Sequence, residues 1–147
     1  MSKLFGDIET GASALGINLA EPLEIHSNGG NLIEAFAIAN RVRSVGINTI
    51  NTGCVIGAAA LILVSGKKVF AKPGTVIALR ESTMAVCGSQ ETLQKAAQLL
   101  KKIDQTFVEN VSYYRGIPAK DIQRMIDDAV VMNAEQALES KIIDEIL

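Results

Sequence analysis

The sequence predicts an α/β domain in which a largely parallel sheet is built from βαβ units. Short alternating or apolar runs bounded by glycine and proline recur at residues 22–27, 47–52, 69–71 and 75–79. Apolar residues at helical spacing fill the stretches between several of these runs. A long helical stripe then runs through Leu93, Ala96, Ala97, Leu100, Ile103, Phe107, Val111 and Tyr114. Strands that alternate with helices imply parallel pairing through right-handed crossovers.

In chain order, residues 4–8 form a short apolar segment ahead of Gly11, a strand entering a turn. Residues 13–19 read as helix or as loop. Pro22-Leu23-Glu24-Ile25-His26-Ser27 alternates and then meets Asn28-Gly29-Gly30, a strand followed by a turn. From there the period changes. Leu32, Ala35, Phe36, Ala39 and Val42 fall on one helical face, with Asn31 as N-cap, Arg41 and Arg43 in the last turn and Gly46 as the stop. Residues 47–52 make the next strand, closed by Gly53. Residues 54–65 are apolar all round, which predicts a buried helix ended by Gly66. Val69-Phe70-Ala71 and residues 75–79 are strands separated by Pro73-Gly74. Residues 83–87 predict a strand that leaves the core. One helix over 89–114 follows; at about 1.5 Å per residue it is longer than roughly 35 Å. A small domain does not cover such a stripe alone, and an uncovered one is a partner surface. Short helices at 118–127 and 134–140 come next, and Ile142-Ile143 closes the fold.

The 147 residues fit one domain, 1–147, long enough to bury a core. Hydrophobic residues make up 48% and charged residues 20%, which excludes a disordered chain. A net charge of −2 argues against nucleic acid as a partner, because phosphate binding needs a clustered positive face. Lys67-Lys68 and Lys101-Lys102 are short enough to be solvated faces. Met1-Ser2-Lys3-Leu4-Phe5 has no apolar signal region, and the apolar run 55–64 is about half a bilayer span, so no membrane partner is expected. Cys54 and Cys87 form no metal-ligand spacing with His26, and no phosphate-binding glycine motif occurs, so neither metal nor cofactor is expected. Two free thiols suit a reduced, cytoplasmic setting. Aromatic content of 4% without Trp predicts an aliphatic core of closely packed elements.

Two pieces carry more than fold. Ser27-Asn28-Gly29-Gly30 precedes a helix, and Gly53-Cys54-Val55-Ile56-Gly57-Ala58-Ala59-Ala60 comes after the next strand. They resemble the Ser-Pro-Gly-Gly turn and the Gly-x-Ala-Ser-x-Gly/Ala elbow of the ClpP family of serine peptidases and its phage head-maturation relatives. The resemblance continues through the proline-containing strand pair, the long helix ending in Arg115-Gly116-Ile117, and Met132-Asn133-Ala134-Glu135-Gln136-Ala137 before Lys141-Ile142-Ile143-Asp144. It implies a ClpP/crotonase-type spiral of βαβ units with a protruding strand–long-helix handle. The segment ahead of Leu23 is short for the family, so the resemblance does not extend to the axial loops that dock an unfoldase.

The family's chemistry needs a serine nucleophile, a histidine to take its proton, a carboxylate to orient the histidine, and two backbone N–H groups for the oxyanion. By the resemblance, the serine position falls on Gly57, the histidine position on Arg80 and the aspartate position on Ala129, next to Asp128. A guanidinium stays protonated and does not act as base. The oxyanion donors correspond to the N–H groups of Gly30 and Ala58, a geometry retained either for folding or for an anion. Cys54, at the start of the expected elbow helix, and Ser27, Ser65 and Ser82 are alternative nucleophiles, none with a base near in sequence. His26 reads as a polar residue at a strand end.

The expected function is therefore that of a catalytically inactive ClpP-like protein, a structural or regulatory subunit of phage or plasmid character. It forms ring-like homo-oligomers or co-assembles with an active relative, through a handle carrying Leu93, Leu100, Ile103 and Phe107. The alternatives are a peptidase with a non-standard nucleophile, and an acyl-thioester binder of the crotonase kind that uses Glu34 or Glu81.

Overall fold

A computed structural model describes residues 2–9, 11 and 22–147. The elements run β1 (Ser2–Phe5), β2 (Leu23–Ser27), α1 (Leu32–Val45), β3 (Thr49–Ile56), α2 (Ala58–Val64), β4 (Val69–Ala71) and β5 (Val76–Ala78). There follow α3 (Gln90–Arg115), α4 (Ala119–Asp127), β6 (Val131–Asn133), α5 (Ala134–Glu139) and β7 (Glu145–Ile146). Mixed α/β architecture around a parallel sheet is thus what the chain adopts.

The sheet has the order β1-β2-β3-β4-β7, every neighbouring pair parallel. β3 is the longest strand and bends. Its first half pairs with β4, Thr49 to Val69 and Asn51 to Ala71, whereas its second half pairs with β5, Cys54 to Val76 and Ile56 to Ala78. β6 then adds to β5 in the antiparallel sense. Every residue of α2 is buried, the signature of a helix covered on all sides. Small residues let α2 sit close to the sheet. Gly66, just past it, has no room for a β-carbon against the Thr49 side chain, whose hydroxyl donates to the Leu63 carbonyl. The core is aliphatic, with Leu23, Ile25, Leu61, Ile62, Leu63, Ile122 and Ile143 fully buried and Phe107 the one aromatic among them.

Helix ends follow local chemistry. Asn31 caps α1 by accepting the Glu34 N–H at 3.1 Å, and Gly46 closes it at φ +72°, donating to Val42. Ser89 caps α3, and Gly116 ends it at φ +66°. Asn133 and Gln136 form a reciprocal capping box on α5. Beyond α5, Arg115 reaches back from α3 to Asp144 at 2.7 Å, while that carboxylate also accepts the Val69 N–H at 2.8 Å.

The structure corrects several expectations. β3 does not stop at Gly53. Residues 54–56 belong to it, paired with β5, and the helix begins at Ala58 rather than at 54. An unbroken apolar run is the same for a doubly covered strand as for a buried helix, so the period alone does not separate them. Residues 83–87 form no strand, and among the described residues no strand lies alongside to complete a hydrogen-bond ladder. Ile142 and Ile143 are core residues, and a last strand, Glu145–Ile146, follows them. β6 had no counterpart among the sequence-based expectations. The 13–19 segment lies outside the described residues.

Candidate functional site

A cleft of about 500 Å³ opens where the loops after β2, β3 and β5 meet α3. The loop after β2 supplies Asn28, Gly30 and Asn31; the loop after β3 supplies Gly57 and Ala58; Arg80 to Met84 come from the segment after β5. Leu32, Ile33, Ile56, Leu100 and Ile103 give it an apolar side.

Backbone, not side chain, brings the first two loops together. The Gly29 N–H donates to Ser27 Oγ at 3.1 Å, closing a tight turn. Gly29 and Gly30 take φ of +100° and +134°. A β-carbon on Gly29 would stand 2.7 Å from the Ile56 carbonyl oxygen and 3.3 Å from the Ala58 nitrogen. One on Gly30 would strike the Ile8 carbonyl oxygen and lie 2.9 Å from the Ile8 nitrogen. Ile8 itself donates to the Gly29 carbonyl at 2.8 Å and accepts the Asn31 N–H at 2.7 Å. Only glycine fits such close approach at positive φ.

Gly57 is different. It adopts φ +60°, ψ −118° at a sharp strand-to-helix turn, the kind of elbow that holds a nucleophile at the head of a helix. Its N–H is fixed by the Ala78 carbonyl at 2.9 Å. Yet a β-carbon there would meet open space, its nearest neighbour being Arg80 Cβ at 4.0 Å. The elbow has room for a side chain and carries none. The residue facing that room is an exposed arginine, which has no proton-accepting atom.

Gly30, Gly57, Ala58 and Arg80 therefore line one cleft, whereas Ala129 does not. Ala129 sits at φ +49° in the turn between α4 and β6, its N–H donating to Ile126. Cys54 lies within β3, so the helix-start argument for a lowered thiol pKa does not apply to it. Ser65 is buried at the far end of α2 and donates to Ile62, and Ser27 is engaged in the glycine turn. His26 is absent from the cleft lining; its Nδ1 accepts the Cys54 N–H at 3.0 Å. Glu81 lines the cleft and Glu34 does not.

One feature escaped sequence reasoning. Asp104 on α3 accepts both the N–H and the hydroxyl of Ser82 on one oxygen, at 2.8 and 2.7 Å. This clasp holds the segment after β5 against α3 and so fixes the outer side of the cleft. A pairing across 22 residues leaves no local signal. Among the handle residues, Leu93 is 47% exposed, Leu100 and Ile103 are half-buried at the cleft, and Phe107 is 1% exposed. Phe107 thus serves this chain's own core rather than an open handle, because α2 and α4 pack over that end of α3.

Among the described residues no group of His, Cys, Asp or Glu is placed to hold a metal ion, and no helix is long and apolar enough to cross a membrane.

Comparison with known proteins agrees with this fold. A family model described as Clp protease matches residues 20–147. The ATP-dependent Clp protease proteolytic subunit of Porphyromonas gingivalis is 26% identical over 145 residues, covering 92% of this chain and 65% of that protein. The proteolytic subunit 2 of Thermobifida fusca is 26% identical over 129 residues, 85% of this chain and 64% of its own length. A chloroplastic Clp protease proteolytic subunit-related protein 2 of Arabidopsis thaliana is 28% identical over 127 residues, 84% of this chain and 46% of its own. The chain thus spans just under two thirds of two of these relatives and under half of the third. With the family model matched over nearly its whole length, this chain belongs to the Clp protease family.

Proposed function

We propose that this chain is a catalytically inactive Clp protease homologue that works as an oligomeric structural or regulatory subunit. The observation that carries the reading is the elbow itself: Gly57 offers no hydroxyl or thiol, and the group across from it is Arg80. Attack on a peptide carbonyl needs an ionisable nucleophile and an acceptor for its proton, and neither is present at that spot. Assembly is supported by the free end of α3. Leu93 and Leu99 on α3, and Met84 and Val86 in the unpaired segment 83–87, are 47, 48, 42 and 38% exposed. A second copy, or an active relative, covers these residues in a ring-like complex of the cytoplasm. A phage or plasmid origin suits such a subunit.

The test is direct. A serine-directed fluorophosphonate should leave the intact mass of the protein unchanged. Sedimentation at micromolar concentration should give a species larger than a monomer, and Leu93→Glu with Leu99→Glu should return it to a monomer. A wild-type monomer would defeat the assembly reading.

A second reading has one observation in its favour. Ser82 lines the cleft and its hydroxyl already donates to a carboxylate, that of Asp104. A stoichiometric adduct on Ser82, lost in Ser82→Ala together with peptide hydrolysis, would make the chain a peptidase with a non-standard nucleophile.

A further inference from the structure

We infer that His26, the chain's only histidine, is a positioning residue whose neutral imidazole pins the bulge in β3 that spaces the two glycine loops of the cleft, and that protonation withdraws the pin. The pairing of β2 with β3 breaks register here. Ile25 faces Asn51, but Ser27 faces Val55, so residues 52–54 stand opposite His26 alone. The bulge is where β3 leaves β4 and takes up β5. Bulges bend strands and commonly re-aim the residues beyond them.

On the β2 side, side chains rather than a ladder hold this irregular stretch, while on the other side Cys54 pairs with Val76 of β5. The Thr52 hydroxyl donates to the Ile25 carbonyl at 3.2 Å. The Gly53 N–H donates to Asn51 Oδ1 at 3.0 Å, and the Asn51 amide donates onward to the Val76 carbonyl at 3.0 Å. The Cys54 N–H donates to His26 Nδ1 at 3.0 Å. The ring is pressed against the backbone: a β-carbon on Gly53 would stand 2.5 Å from Nδ1.

The chemistry rests on that bond. A backbone N–H has nothing to accept with, so Nδ1 must present its lone pair and the ring's single proton resides on Nε2. An imidazolium carries N–H on both nitrogens. It would turn a donor toward a donor, and the bond would be lost. Phe5 of β1 meets the ring edge-on at a centroid distance of 6.1 Å, with Lys3 above Phe5. On β2, Glu24 is engaged by Lys72 of the segment after β4 at 3.5 Å, and from β3 the nearby titratable group is the Cys54 thiol. Among the described residues no carboxylate pairs with His26.

The bulge is two steps from the cleft on both strands. Ser27, next to His26, closes the glycine turn, and Ile56, two residues after Cys54, presents the carbonyl on which Gly29 packs. A shift of residues 52–54 therefore moves the Gly29-Gly30 loop relative to Gly57. The inference holds whether the cleft cleaves, binds or does neither.

Nitrogen NMR of the wild-type imidazole, together with amide exchange expressed as protection factors, tests it without any variant. At about pH 8, below which imidazoles begin to take up a proton, the Nε2–H tautomer is expected. Between about pH 8 and pH 5 the protection of the Cys54 amide should fall about tenfold while that of core amides in α2 holds. His26→Gln, which keeps an acceptor that does not titrate, should abolish the pH dependence. His26→Phe should give low protection at both ends. An Nδ1–H tautomer, or a Cys54 protection factor that ignores pH in the wild type, would overturn the inference.

Discussion

The two ends of α3 come from one sequence pattern and meet opposite circumstances. Toward the C-terminus Phe107, Val108 and Val111 are buried against α2 and α4. Toward the N-terminus Leu93 and Leu99 stand about half exposed. Leu100 and Ile103 mark the junction and border the cleft. Periodicity reports which face of a helix is apolar; it does not report what covers that face. One end is completed inside the chain, and the other stays about half exposed.

The largest expected effect sharpens that contrast. Phe107→Ala should cost about 3–5 kcal/mol in urea unfolding, the usual range for emptying a buried aromatic site. Leu93→Ala, measured on the monomeric form, should stay within about 0.5 kcal/mol. Equal costs would erase the distinction between the two ends. A middle-sized effect is expected at the junction. Asp104→Ala removes the acceptor of both Ser82 bonds, a charged partner for each, and should cost about 1–3 kcal/mol. Amide exchange at Ser82 should rise while the amides around Phe107 do not change.

The smallest effect is at the far end of α3, where Arg115 is clasped to Asp144. Burial pushes the Asp144 carboxyl up, but the Arg115 hydrogen bond and the Val69 N–H outweigh it, so the group sits below its ordinary value. A carboxyl lowered in the folded state adds stability at pH values above the unfolded carboxylate range, about 3.9. That increment is lost as pH falls through the lower, folded value. Asp144→Asn should therefore narrow the gap between thermal midpoints at pH 7 and pH 3, modestly, because the pair is partly solvated.

What the sequence made legible were elements whose ends carry chemistry. Asn31 and Gly46 bracket α1, which could be read from capping residues and period, and the apolar stripe alone placed α3, which Ser89 and Gly116 close. The boundary between β3 and α2 was illegible, since Cys54, Val55 and Ile56 are as apolar as the helix beyond them and only the pairing with β5 assigns them. Residues 83–87 are apolar enough for a strand, but a strand also needs a neighbour. The cleft shows the same division. Gly30, Gly57, Ala58 and Arg80 lie apart in sequence and are joined by topology, and they were foreseen through family resemblance rather than spacing. The Ser82–Asp104 clasp had no such guide.

The antiparallel pairing of β6 with β5 also has a consequence in time. A nascent polypeptide emerges with β5 in place long before Val131–Asn133 is translated, because both α3 and α4 come in between. Closing so long a loop costs entropy before any contact rewards it, and non-local pairings form slowly. A ribosome stalled ahead of residue 131 would leave β5 with one bare flank, an open template for another unfinished copy.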